Sequence, residues 1–146
     1  MKPPMMESHL ADRPLKIGEV SAEAELPVKT IRYYEQIGLL VPTVERSPSG
    51  YRLFDKSVLN RLAFIKRAQS LGLSLKEIKE ILQVHDRGEL PCGEVKQHLE
   101  AKVRAIDEQI EALEMLRSQL QGILQGWQEQ PSAERIAHTI CPNIQP

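Results

Sequence analysis

Cationic and hydroxyl-bearing side chains cluster in a short segment that begins after Pro27. Apolar Ile31 and Tyr34 lie about one helical turn apart, so they can share a buried face of a helix. The outward-facing side chains, which could contact phosphates or base edges, are Lys29, Thr30, Arg32 and Tyr33. A turn-rich segment further along adds Arg46, Tyr51 and Arg52. On composition alone, a DNA-binding surface and an ordinary solvated helix face explain this pattern equally well.

Two cysteines, Cys92 and Cys141, supply the thiols of the chain, and His138 lies shortly before the second. Thiolates bind soft metal ions, and a pair of thiols can also be oxidised to a disulfide. Two cysteines are too few for a disulfide scaffold, and a lone cysteine in a tail is more often inert than a ligand. The thiols are therefore candidates that need further support.

The charge is unevenly distributed along a chain whose formal net charge is −1. Residues 14–85 carry 11 Lys and Arg against 8 Asp and Glu, whereas residues 86–146 carry 6 against 10. A basic first half and an acidic second half fit a DNA-binding head on a solvated stalk, although chance also produces asymmetries of this size. Aromatic residues make up only 4% of the chain, which leaves few rings for a ligand pocket or for base stacking.

Residues 1–13 lack an apolar segment, so we expect a flexible tail rather than a secretory signal. No run of residues approaches the ~18 apolar residues that a membrane span needs. We therefore expect a cytoplasmic protein with reduced thiols and no membrane partner. No nucleophile–base pair, phosphate-binding loop or carboxylate pair is recognisable, so the sequence does not predict an enzyme.

The first half of the chain is predicted to form a winged helix-turn-helix. Short helices are expected over 15–24 and 28–36, with Gly38 as the residue that ends the second. The segment 39–42 is expected to be extended, and a turn-rich stretch separates it from a strand over 51–54. A strand, a turn and a second strand directly after a helix-turn-helix make a wing.

A second helix pair completes the predicted head, which spans residues 14–85. Asp55 is the expected N-cap of a helix that ends near Ser70. Ser74 and Glu77 form a capping-box pattern at the start of the next helix.

A linker over 86–91 is expected to lead into a long helix over 92–125, followed by a C-terminal loop over 126–146. The apolar residues of the long helix recur at heptad-like spacing, with Arg117 in one apolar slot. These residues are Val95, Leu99, Val103, Ile106, Ile110, Leu113, Leu120 and Leu124. A single helix of this kind cannot bury its own apolar seam, and no second long helix is predicted, so the partner helix is expected to come from a second copy. The predicted fold class is mainly α.

The sequence closely resembles the MerR family of transcription regulators over about residues 15–125. The motifs that carry the resemblance are Lys-Ile-Gly-Glu-Val (16–20), Val-Lys-Thr-Ile-Arg-Tyr-Tyr-Glu-Gln-Ile-Gly-Leu-Leu (28–40), Ser-Gly-Tyr-Arg-Leu-Phe (49–54) and Phe-Ile-Lys-Arg-Ala-Gln-Ser-Leu-Gly-Leu-Ser-Leu-Lys-Glu-Ile (64–78). The resemblance implies an antiparallel two-helix coiled coil between the subunits of a homodimer. It also implies repression of a promoter without effector, and activation by distorting the DNA so that RNA polymerase can engage it. The positions that match DNA contacts of the family are Lys29, Arg32, Tyr33, Arg46, Tyr51, Arg52 and Lys66.

The short C-terminal segment limits the kind of effector that such a regulator can sense. About 22 residues follow the long helix, too few to enclose a drug-sized pocket. Iron–sulfur sensing needs four clustered cysteines, and this chain has two. A heavy-metal ion is therefore the expected cofactor.

In an antiparallel dimer, the start of one long helix lies beside the end of the other. One helix of ~32 residues is ~48 Å long, so Cys92 is expected to meet Cys141 of the partner subunit rather than that of its own chain. In the resembled family, Cys at the first position marks sensors of divalent mercury, zinc, cadmium or lead, and Cys141-Pro142 matches the loop motif. Many of these sensors carry a further Cys near Gly126, which is missing here.

Two thiolates suffice for an ion that accepts linear coordination, which favours mercury(II). Zinc is usually bound by about four ligands, and His138 is a candidate for one of them. Cadmium and lead are further alternatives. The same two thiols could instead form an intersubunit disulfide in a redox sensor. A DNA-organising protein without an effector is a third alternative.

Overall fold

A computed structural model describes residues 13–145 of the chain. Apart from Arg13, the predicted tail over 1–13 lies outside the described residues. The chain divides into two compact units, one that ends at Leu99 and one that begins at Glu100. The boundary falls inside the longest helix.

A helix-turn-helix opens the first unit. Strand β1 (Leu15–Lys16) precedes helix α1 (Ile17–Ala24), and helix α2 (Val28–Gln36) follows after a short turn. The expectation of a helix from residue 15 was therefore wrong by two residues, because Leu15 and Lys16 pair with another strand instead. Gly38 has a φ of +87° and directly follows the C-cap residue Ile37. This left-handed conformation favours glycine and ends α2 as predicted.

The wing consists of strands β2 (Val44–Arg46) and β3 (Arg52–Phe54). Strand β3 lies in the middle of a three-stranded antiparallel sheet, between β1 and β2. Residues 39–42, expected to be extended, instead form a turn that runs into a short 3-10 helix, Val41–Thr43, with Pro42 in its first turn. The Thr43 hydroxyl donates to the Leu40 carbonyl at 2.7 Å and stabilises this turn.

The second helix pair consists of α3 (Val58–Ser70) and α4 (Leu75–Asp86). The prediction that Asp55 is the N-cap of α3 was wrong, because Ser57 holds that position. A carboxylate oxygen of Asp55 accepts a hydrogen bond from the Ser57 amide at 3.0 Å, so Asp55 stabilises the turn before the helix. At α4, the predicted capping box between Ser74 and Glu77 is present in both directions.

The core of the first unit lies between these four helices and the sheet. Its buried side chains are Val20, Ile31, Tyr34, Leu39, Leu40, Phe54, Val58, Leu62, Ile65, Ala68, Leu73, Ile78, Ile81 and Leu82. Helix α5 (Cys92–Gln125) begins in this unit, and its Val95 packs against the core. One face of α2, with Ile31 and Tyr34, is therefore held in a continuous apolar core.

The second unit contains the remainder of α5 and helix α6 (Ala133–His138). The predicted seam residues of α5 within this unit are all about half exposed or more; they are Val103, Ile106, Ile110, Leu113, Leu120 and Leu124. The segment predicted to be a loop over 126–146 contains the short helix α6, and the Ser132 hydroxyl caps its start by accepting from the Arg135 amide at 3.3 Å. The mainly α fold class is confirmed, with its small antiparallel wing and long C-terminal helix.

Candidate DNA-binding surface and metal site

Helix α2 presents one polar face outward because its opposite face is anchored in the core. Ile31 is fully buried, and Tyr34 is 6% exposed with its hydroxyl donating to the Gln69 side chain at 2.7 Å. Burial raises the pKa of Tyr34, so the ring remains a neutral hydrogen-bond donor. The predicted contact residues Lys29, Arg32 and Tyr33 are exposed on the other face.

The wing turn brings further cations close to α2. Gly50, with φ of +92°, closes the turn by donating its amide to the Ser47 carbonyl at 2.8 Å. The Arg46 guanidinium donates to the Gly50 carbonyl at 2.8 Å, which directs this arginine along the turn. Arg52 pairs with Glu35 of α2 and so joins the wing to the recognition helix.

These elements enclose a cleft of about 340 Å³ between the start of α1, helix α2 and the wing. Its lining residues are Lys16, Ile17, Arg32, Arg46, Gly50, Tyr51 and Arg52. Four of the seven are cations, of which Arg52 is paired with Glu35, so Lys16, Arg32 and Arg46 make the cleft suited to an anion such as a backbone phosphate.

Lys16 belongs to this surface although the sequence interpretation did not include it. Its ammonium lies 5.5 Å from the centre of the Tyr51 ring, within range of a cation–π interaction. The pairing of β1 with β3 brings Lys16 opposite Leu53, next to the wing. The sequence signal for this residue was a lysine immediately before Ile17-Gly18. Its place beside the wing could not be predicted, because it depends on the pairing of β1 with β3, which are far apart in the chain.

Three of the sequence-predicted residues, Lys29, Tyr33 and Lys66, do not line the cleft. Lys29 is exposed elsewhere on α2, and Lys66 is exposed on α3 with its ammonium donating to the Ala24 carbonyl at 3.2 Å. Four of the seven predicted residues therefore meet in one place, namely Arg32, Arg46, Tyr51 and Arg52.

The two cysteines are free thiols at positions that the local structure defines clearly. Cys92 is the exposed first residue of α5, and Cys141 is partly buried in the turn after α6. His138, the last residue of α6, is exposed. Among residues 13–145 of one chain, no group of three or more His, Cys, Asp or Glu side chains converges to hold a metal ion.

The segment that carries Cys141 is held in place by side-chain to backbone hydrogen bonds. Asn143 accepts from the Gln128 amide at 2.8 Å and donates to the Gln128 carbonyl at 3.0 Å. The Cys141 amide donates to the Gln145 side chain at 2.9 Å, and Arg135 donates to the Pro142 carbonyl at 3.2 Å. The thiol thus sits on a loop whose ends are tied to each other.

None of the helices within the described residues has the length and apolar character needed to cross a membrane.

Two family descriptions match the chain: "MerR HTH family regulatory protein" over residues 15–84, and "MerR, DNA binding" over residues 59–123. Together they span the head and most of α5.

Individual relatives match most of the chain. The mercuric resistance operon regulatory protein of Bacillus cereus is 39% identical over 105 residues, which cover 72% of this chain and 79% of that protein. A transcription regulator from Ralstonia metallidurans CH34, solved in complex with lead(II), aligns with a TM-score of 0.68 at 35% identity and covers 82% of this chain and 93% of its own. The dual function regulator MerR from Bacillus megaterium MB1, solved with mercury(II), aligns with a TM-score of 0.57 at 33% identity and covers 89% and 96%.

Proposed function

The chain belongs to the MerR family of helix-turn-helix transcription regulators, and on this basis we propose that it binds promoter DNA as a homodimer and responds to a heavy-metal ion, with mercury(II) favoured. It is a regulator rather than an enzyme, as expected from the sequence. We further propose that it acts in the cytoplasm, where its thiols remain reduced.

DNA binding is supported by the cationic cleft between α2 and the wing. Lys16, Arg32, Arg46 and Arg52 can neutralise phosphates that flank the groove, while α2 presents Lys29 and Tyr33 to the DNA. Lys66 on α3 is a further proposed contact. The arrangement supports one head per DNA half-site.

Dimerisation is supported by the apolar seam of α5. Ile106, Ile110 and Leu113 are each at least half exposed in the single chain, and they recur at the spacing of a coiled coil. A contiguous exposed apolar face of this length indicates an interaction surface. We propose that a second copy covers it in an antiparallel arrangement.

Metal binding is carried by one observation, the pair of free thiols at Cys92 and Cys141. We propose that Cys92 and the partner's Cys141 form one site, so that each dimer holds two equivalent sites. When bound, a soft divalent ion supplies two strong bonds to thiolate sulfur and so cross-links the subunits. Relatives solved with lead(II) and mercury(II) support a heavy metal, and a two-thiolate donor set favours mercury(II) over zinc or cadmium, for which His138 would be needed as well.

The proposed switch is a change in DNA shape. The metal-free dimer represses, and the metal-bound dimer bends and untwists the promoter so that RNA polymerase can engage it. Distorting a DNA site costs on the order of a few kcal/mol, so metal binding must favour the distorted complex by a comparable amount.

Titration of the reduced, metal-free protein tests the metal proposal. Mercury(II), lead(II), cadmium(II) and zinc(II) are added anaerobically while thiolate-to-metal absorption is recorded in the ultraviolet. We expect one tightly bound mercury(II) per subunit, lost in both Cys92→Ser and Cys141→Ser. Tight zinc binding that is lost in His138→Ala would assign the site to zinc instead.

Redox sensing is the rival function, because the same two thiols are free to be oxidised. Activation by peroxide in the presence of a chelator, with a disulfide-linked dimer on non-reducing gels, would favour it. A protein that responds to neither treatment but still binds DNA would be a DNA-organising protein.

A further inference from the structure

Arg61 is a charged side chain buried inside the head, where its side chain is 7% exposed. It donates three hydrogen bonds from the middle of the second helix pair. Its Nε donates to the Leu39 carbonyl at 2.5 Å, and its two Nη atoms donate to the two carboxylate oxygens of Asp86 at 2.7 and 2.9 Å. This forked geometry fixes the guanidinium in one orientation.

The two partners of Arg61 lie at the ends of functionally different elements. Leu39 is fully buried and comes directly after Gly38, the glycine at the end of recognition helix α2. Asp86 is the last residue of α4, and the segment 87–91 after it leads directly into α5. One side chain therefore joins the end of the recognition helix to the start of the linker.

The beginning of α5 is attached to the same helix pair. Val95 packs against the core of the head, and His98 Nδ1 lies 3.4 Å from a carboxylate oxygen of Glu77 on α4. The contacts continue from the recognition helix through Arg61 to the end of α4, and from α4 to the first turns of α5.

We propose that Arg61 is a positioning residue that fixes the recognition helix relative to the start of the dimerisation helix, and thereby sets the half-site spacing that the dimer accepts. The inference rests on the proposed dimeric DNA binding. In a dimer, the separation of two recognition helices must match the separation of two half-sites on the DNA. Weakening the Arg61–Asp86 pair lets each head tilt, so that the dimer tolerates wrong spacings.

Asp86→Asn tests this proposal on the full-length dimer. Asparagine keeps the shape of the side chain and one acceptor oxygen but loses the charge-assisted pair of hydrogen bonds. Operators are selected in vitro with the wild-type protein, and the spacer between the half-sites is then lengthened or shortened by single base pairs. We expect the wild-type preference for the selected spacing to shrink about threefold or more in Asp86→Asn, as for residues coupled in one hydrogen-bond network.

Glu89→Gln is the matched control. It also removes one negative charge, three residues beyond Asp86, but its ion pair with Arg87 is exposed. Equal changes in both variants would overturn the proposal, because the effect would then come from charge near the DNA. A uniform loss of affinity at every spacing would overturn it as well, because Arg61 would then only stabilise the fold.

Arg61→Lys provides a second test if Asp86→Asn is found unfolded by circular dichroism. Lysine retains the charge but cannot form the forked set of hydrogen bonds, so the same loss of spacing preference is expected. An unchanged preference in this variant would contradict the proposal. A wild-type dimer that binds all spacings equally would overturn this inference alone, whereas a wild-type protein that selects no operator would overturn the proposed function.

Discussion

Lys16 of β1 and Arg32 of α2 both lie beside the wing, and the packing of other residues fixes the position of each. Lys16 is placed by the pairing of β1 with β3, and Arg32 by the burial of Ile31 and Tyr34 on the far side of α2. Because these cations share a cleft with Arg46 and no acidic residue lines it, an anion entering the cleft gains several favourable interactions at once.

Lys16→Gln is expected to weaken operator binding, because it removes one phosphate-neutralising charge. The slope of log affinity against log salt concentration should decrease by about 1, with a similar loss on specific and nonspecific DNA. Fluorescence anisotropy across a salt series measures both. Lys76→Gln, an exposed lysine on α4, is the control and should keep the wild-type slope. An unchanged slope in Lys16→Gln would remove this residue from the DNA interface.

Glu19 gives the head a defined response to acid. A side-chain hydrogen bond from Arg13, followed by one from the Lys16 amide, lowers the pKa of Glu19 from 4.5 to about 2. A depressed carboxylate pKa stabilises the fold above the unfolded-state pKa, and this contribution is lost as the pH falls from about 4.5 to 2. In Glu19→Gln, urea-unfolding midpoints should therefore vary less with pH across this window than in the wild type. Because the Arg13–Glu19 pair is open to solvent, 1 M salt should reduce the difference between the two proteins. Identical pH profiles would contradict the assignment.

Helix α4 begins at a reciprocal capping box, which fixes its first turn. The Glu77 amide donates to the Ser74 hydroxyl at 3.1 Å, and the Ser74 amide donates to the Glu77 carboxylate at 2.8 Å. The same helix ends at Asp86, the partner of Arg61, so its position affects both the core and the linker.

Ser74→Ala is expected to destabilise the protein by about 1 kcal/mol, because it leaves a helix N-terminal amide without its side-chain acceptor. Chemical denaturation measures this change in the free energy of unfolding. Ser49→Ala, in the exposed wing turn, should have little effect. Equal stability of the two variants would mean that the capping box does not contribute.

The elements with strong local signals were predictable from sequence. Helices α2 and α5 lie where apolar periodicity, Pro27 and Gly38 place them, because these signals act within a few residues. Strand β1 was missed because two residues carry no periodicity, and its pairing with β3 joins segments that are far apart in the chain. For the same reason the sequence indicated Arg32, Arg46 and Arg52 singly but did not show that they share a cleft.

Helix α5 carries an apolar seam that a single chain leaves exposed. Ile110 lies near its middle and is 50% exposed. The sequence predicts this seam from its spacing, but residues 13–145 of one chain contain no second helix of similar length that could cover it. The proposed metal site, which takes one thiol from each subunit, therefore forms only when a second copy covers this seam.

Ile110→Glu is expected to convert the dimer to a monomer, because a carboxylate in the seam would lose its hydration without gaining a partner. Sedimentation velocity measures the change in mass. Ala112→Glu introduces the same side chain at an exposed position outside the seam and should remain dimeric. A dimeric Ile110→Glu protein would show that another surface holds the subunits together.

Mercury(II) binding to two mixed dimers tests the shared site most directly, using subunits carrying different affinity tags. A dimer of Cys92→Ser with Cys141→Ser retains one complete site only if ligands come from different subunits. A dimer of wild type with the double variant retains one complete site only if both ligands come from the same chain. We expect one tightly bound mercury(II) in the first dimer and none in the second. The reverse pattern would contradict a site shared between subunits, and no binding by either mixed dimer or by the wild type would contradict metal sensing through these thiols.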